Sequence, residues 1–216
     1  MRNIKGVIFD LDGTLLDSMT IWGDVAKIYL RNHGKTPRPG FREALRPLNT
    51  VEEAQYYIDE YGIDLPLDEI IAGRDNMMLG YLLSEITLKK GVMEVLESLK
   101  ERGIKMCIAT ATDRNLVDPT LDHHKITGYF ERVFTCTEEN TSKKYPDLFI
   151  QAAEFLGTDA GETLVVEDAL YAMETAKKAG FVVAGVYDKV AGDQQEKIKA
   201  ICDYYWIDID EMLELL

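Results

Sequence analysis

Apolar and polar positions along the chain fall into two rhythms. Short runs rich in β-branched residues recur at Ile4 to Phe9, Ile104 to Ala109, Arg132 to Thr135, Thr163 to Val166 and Phe181 to Val186, and unbroken apolar runs of this length suit strands buried on both faces. Between them lie segments of helical period at Val92 to Arg102, Leu116 to His124, Pro146 to Leu156 and Ala169 to Ala179. Gly103, Gly157 and Gly180 follow three of these, where a helix end tolerates left-handed dihedrals. Regular alternation after about residue 90 predicts crossover units building a parallel sheet. Trp206 to Leu216 reads as a last short strand and a docking helix.

One stretch breaks that rhythm. Trp22 to Asn32, Val51 to Glu60 and Leu67 to Ser84 carry helical period, with a Pro/Gly turn at Thr36 to Gly40, and no convincing strand lies among them. The expected organisation is an α/β core with a Rossmann-like parallel sheet flanked by helices, formed by residues 1–16 and 87–216, into which an all-helical domain of residues 17–86 is inserted.

Charge narrows the partners. The 216 residues carry 24 Lys+Arg against 38 Asp+Glu, a net charge of −14, which would repel a nucleic-acid backbone. The longest apolar run, Phe181 to Tyr187, is far below the roughly 20 residues of a bilayer span. Asp10 and Asp12 interrupt the N-terminal apolar stretch before it could act as an export signal. Cys107, Cys136 and Cys202 are odd in number and unpaired in spacing. A cytoplasmic protein is expected, with no nucleic-acid or membrane partner, as a monomer or weak dimer.

Candidate chemistry gathers at strand ends. Asp10-Leu11-Asp12-Gly13-Thr14 follows the first strand, and residues two apart in extended chain point the same way, so both carboxylates can face the crevice where open parallel sheets bind ligands. Thr110, with Ala111 and Thr112, follows the second strand, and its hydroxyl with nearby N–H groups can hold a phosphoryl oxygen; taken alone, such a residue is more often a helix cap. Lys143-Lys144 precedes Tyr145-Pro146-Asp147, and Glu167-Asp168 ends another strand, where it could cap a helix or hold a metal. Together they offer hard oxygen ligands of the kind that select Mg²⁺, beside an ammonium.

With these motifs in order, the chain resembles the haloacid dehalogenase-like hydrolase superfamily, in the branch with a helical cap after the first motif. It is similar there to the beta-phosphoglucomutase and phosphoglycolate phosphatase relatives. The resemblance implies Asp10 as nucleophile, Asp12 as general acid and base, Thr110 as phosphoryl-oxygen ligand and Lys143 as charge clamp. Thr14, Ala111 and Thr112 would lie against the substrate. Mg²⁺ would sit between Asp10, the backbone carbonyl of Asp12 and Asp168, with Glu167 supporting it from behind. The branch's lysine stands four residues before the aspartate of a K-x-x-P-D run, which selects Lys143 against Asp147, although Lys144 stays a candidate. Asp12 should have the higher pKa of the first two aspartates, raised by burial as the cap closes. Relatives that remove halogen from carbon lack the second aspartate, so Asp12 favours phosphoryl transfer.

The expected activity is hydrolysis of a small phosphorylated metabolite: a sugar phosphate, a phosphoglycolate-like acid or a nucleoside monophosphate. Met19, Trp22, Arg46 and Asn49 are candidate specificity residues, Trp22 by stacking and Arg46 by gripping an anion, set against helix packing for the first and a solvated turn for the second. The alternative is a phosphosugar mutase. Mutase relatives carry a histidine on the first cap helix and a basic, serine-containing loop, where this chain has Trp22 and Leu48 to Glu53, which leaves the phosphatase as the better reading. A binding protein that has lost activity is the third reading, and the intact Asp10, Asp12, Thr110 and Asp168 argue against it. His123-His124 are adjacent on a helix and cannot share a metal.

Overall fold

The computed structural model describes residues 4–45, 48 and 50–216. In chain order it contains β1 (Gly6–Phe9), α1 (Met19–Asn32), α2 (Phe41–Leu45), α3 (Thr50–Tyr61), α4 (Leu67–Ser84), α5 (Val92–Glu101) and β2 (Lys105–Thr110). There follow α6 (Arg114–His123), β3 (Arg132–Thr135), α7 (Asp147–Leu156), β4 (Thr163–Glu167), α8 (Leu170–Lys178), β5 (Val182–Val186), α9 (Gln195–Ile201) and β6 (Tyr204–Trp206). Two compact units result, Met1–Ser18 with Ile86–Leu216, and Met19–Glu85.

The first unit is an α/β layer structure. Its six strands run parallel in the order β3-β2-β1-β4-β5-β6. All four residues of β1 are buried, as a central strand covered on both faces requires. Phe9, the last residue of β1, pairs with Ile108 on one side and Val166 on the other, so β2 and β4 run slightly past the end of β1. On one face Ile8, Cys107, Phe134 and Val165 pack with Phe149, Ala152, Ala172 and Met173 from α7 and α8. Strand order reverses between β1 and β4, which opens a crevice beyond their carboxyl ends.

The tail departs from expectation. The edge strand is Tyr204–Trp206, which ends at the first residue of the segment read as strand and helix, and Ile209–Leu215 forms a 3₁₀ turn with a reciprocal cap between Asp208 and Glu211. A three-residue edge strand has too little apolar period to be located from sequence.

Leaving and returning segments of the first unit lie side by side. Asp17 N–H donates to Thr87 O at 3.0 Å and Lys89 N–H to Leu15 O at 2.8 Å, with an antiparallel bridge between Leu16 and Leu88. The second unit holds α1 to α4 around its own aromatic core of Tyr29, Phe41, Tyr57 and Tyr61, with the Tyr29 and Tyr57 rings stacked at 5.8 Å.

Candidate active site

The strand that carries the first motif stops at Phe9. Asp10 still makes the next ladder bond, its N–H donating to Val166 O at 3.0 Å, and the chain then turns. Gly13 adopts φ 88°, a left-handed conformation open to glycine, and its N–H closes the turn on Leu16 O at 2.9 Å. Asp12 therefore reaches the crevice through a turn, a different route from the strand alternation expected of it.

Asp10, Glu167 and Asp168 are all buried, and each offers a carboxylate oxygen within 4.8 Å of the others. Lys143 is buried beside them; its ammonium donates to Asp10 Oδ1 and to Glu167 Oε1, the latter at 2.6 Å. The turn that places it is closed by Tyr145 N–H on Ser142 O at 2.9 Å, just ahead of α7, and leaves Lys144 exposed. The second oxygen of Glu167 accepts the N–H groups of Asp168 and Ala169 at 3.1 and 3.0 Å, fixing both ends of its carboxylate.

Three carboxyls and one ammonium leave the cluster two charges negative when all are ionised. At an effective dielectric of about 20, two carboxylates at such a spacing repel by about 3 kcal/mol. Burial, opposed by Lys143, pushes Glu167 up to about 7. Burial and the carboxylates of Glu167, Asp10 and Asp188 hold Asp168 well above the ordinary range. Burial works against the charge of Lys143, but Asp10 and Glu167 outweigh it and raise its pKa. Hard oxygen donors, buried and in excess of their counter-charge, are the donor set that a small divalent cation fits.

A second set of bonds runs beside the first. Thr112 Oγ1 donates to Asp12 Oδ2 and Ser18 Oγ to Asp12 Oδ1, each at 2.6 Å. The N–H of Thr112 donates to Thr110 Oγ1 at 3.0 Å.

Among the residues named from sequence, Asp10, Lys143, Glu167 and Asp168 fall in the first set of contacts and Asp12, Thr110 and Thr112 in the second. Ala111 is exposed in the same loop. The hydroxyl of Thr14 is buried with no hydrogen-bond partner among the described residues. Trp22 belongs to α1 in the helical unit, where its indole Nε1 is buried and likewise has no partner among the described residues. Arg46 and Asn49 lie outside the described residues. Sequence reading passed over Ser18 and Asp188. The latter is buried just past β5 and takes a hydrogen bond from Lys89 at 3.1 Å; the strand-end rule that named the other acids would have found it.

The haloacid dehalogenase-like hydrolase family matches residues 7–186. This chain belongs to that family. The hydrolase is 31% identical over 194 residues to (DL)-glycerol-3-phosphatase 1, mitochondrial, of Arabidopsis thaliana, a match covering 86% of this chain and 65% of that protein. It is 27% identical to the bifunctional riboflavin kinase/FMN phosphatase of the same plant, over 83% of this chain and 48% of that one. The hydrolase thus spans less than two thirds of either relative's length. Its fold is shared with beta-phosphoglucomutase from Clostridium difficile, at a TM-score of 0.73 and 18% identity over 96% of this chain and 92% of that one.

Proposed function

We propose that this hydrolase is an Mg²⁺-dependent phosphomonoesterase acting on a small phosphorylated metabolite through an aspartyl-phosphate on Asp10. The observation that carries the reading is the buried trio Asp10, Glu167 and Asp168 with the Lys143 ammonium at the carboxyl ends of β1 and β4. Relatives named as phosphatases support it. The free cysteines Cys107, Cys136 and Cys202 support a reducing, cytoplasmic setting.

An Asp10 oxygen attacks phosphorus and forms a P–O bond while the ester P–O bond breaks. The leaving oxygen takes that bonding pair and a proton from Asp12. Water then attacks the phosphoryl group, gives its proton to Asp12, and the bond to Asp10 breaks to release phosphate and restore the carboxylate. Thr110 donates to a phosphoryl oxygen, and Lys143 holds Asp10 while countering the charge that builds on the transferred group. Asp10, the Asp12 carbonyl and Asp168 would hold Mg²⁺, which would supply the positive charge that lets two anions meet. Glu167, with both oxygens engaged, orients Lys143 and the backbone of Asp168.

The test is phosphate release from p-nitrophenyl phosphate and glycerol 3-phosphate by wild type and Asp10→Asn, with Mg²⁺ and with EDTA. Wild type with Mg²⁺ is expected to turn over, and Asp10→Asn to lose at least about 1,000-fold while melting normally. Equal activity of the two proteins would falsify the assignment. Glucose 6-phosphate formed from beta-glucose 1-phosphate, without free phosphate, would instead mark a mutase.

A further inference from the structure

We propose that Thr112 is a positioning residue for Asp12, an inference that rests on the phosphatase reading and moves Thr112 away from the substrate contact suggested by sequence. Its hydroxyl has a single proton to donate, and that proton is directed at Asp12 Oδ2 at 2.6 Å. A hydroxyl donating there does not donate to a phosphoryl oxygen. Its backbone N–H meanwhile holds Thr110 Oγ1. One buried residue, 100 positions from Asp12 in sequence, therefore ties the proton-transferring carboxylate to the hydroxyl that meets the phosphoryl group.

A carboxylate offers about four lone-pair sites, so hydroxyls from Ser18 and Thr112, one on each oxygen, are compatible with proton exchange. What they remove is rotation of the Asp12 side chain. Displacement of a reacting group by about 1 Å can cost about a hundredfold in rate.

The consequence depends on the leaving group. As the Asp10–phosphorus bond forms and the ester bond breaks, the alkoxide of an alkyl phosphate needs a proton from Asp12. The p-nitrophenolate ion is a weak base and departs without one. Misplacing Asp12 therefore slows the alkyl ester and spares the first turnover of the aryl ester.

Thr112→Val keeps the shape and the backbone N–H and deletes only the hydroxyl. On glycerol 3-phosphate its kcat is expected to fall about 10- to 100-fold with KM within about threefold. The pre-steady-state burst of p-nitrophenolate should stay within about threefold of wild type in rate. Thr112→Ser, which retains the hydroxyl, is expected to recover most of the alkyl rate; Thr112→Ala is a second deletion should the valine protein melt early. A rise in KM at constant kcat, an equal loss on both esters, or a serine variant as slow as valine each overturns the assignment. Wild type inert on both esters overturns the phosphatase reading together with it, whereas an active wild type matched by Thr112→Val overturns only the role of Thr112.

Discussion

A carboxyl such as Glu167, with its pKa pushed up to about 7 by burial, binds its proton more tightly folded than unfolded. Its stabilising contribution is complete below the ordinary glutamate pKa of about 4.3 and is lost as pH rises through about 7. Asp168 acts in the same direction. The metal-free protein is therefore expected to melt at lower temperature near pH 8 than near pH 5. Added MgCl2 should restore the loss most at the alkaline end, because the cation and the proton compete for the carboxylate of Asp168. Calorimetry at fixed ionic strength, with EDTA or with Mg²⁺, checks this; a melt near pH 8 that ignores Mg²⁺ removes the trio as a cation site. At this scale the sequence was partly legible. The acids after β1 and β4 follow from their places at strand ends. The K-x-x-P-D spacing pointed to Lys143 but left Lys144 open until the turn at Ser142 to Tyr145 set the two apart, and the hydroxyl of Ser18 on Asp12 needed three dimensions.

Elements were legible in proportion to their length and burial. Strands β1 to β5 and helices α5 to α8 are apolar enough for period to declare them, and Arg132–Thr135 is the strand the pattern marks. Helix α2 has five residues and α9 seven, less than two turns each, so period is weak there. Contacts between distant elements leave no local trace at all. Gly91, ahead of α5, has φ 84°, and a Cβ there would lie 2.3 Å from the Cβ of Asp210 in the final 3₁₀ turn. Gly91→Ala is thus expected to destabilise the protein by about 2–4 kcal/mol, from left-handed strain plus the clash. Urea unfolding measures it; a loss below about 0.5 kcal/mol, the range of neutral surface changes, would show that the tail shifts aside at little cost.

Across the whole molecule, residues 10 and 167 meet, and Thr110 ends β2 on the same side of the sheet, because parallel strands release their carboxyl ends on one side, a rule that sequence alternation is enough to invoke. The hydrogen-bonded seam of Leu15 to Asp17 with Thr87 to Lys89 carries a further consequence. Exit and re-entry are neighbours, so a short Gly/Ser bridge in place of residues 19–85 closes only a small loop, and loop entropy grows slowly with length. The shortened chain is expected to unfold in one cooperative transition followed by circular dichroism; a non-cooperative melt would show that the host leans on its guest. If it holds, that doorway would admit inserts of unrelated ancestry, and selection could exchange the guest while the strand-end cluster stays as it is.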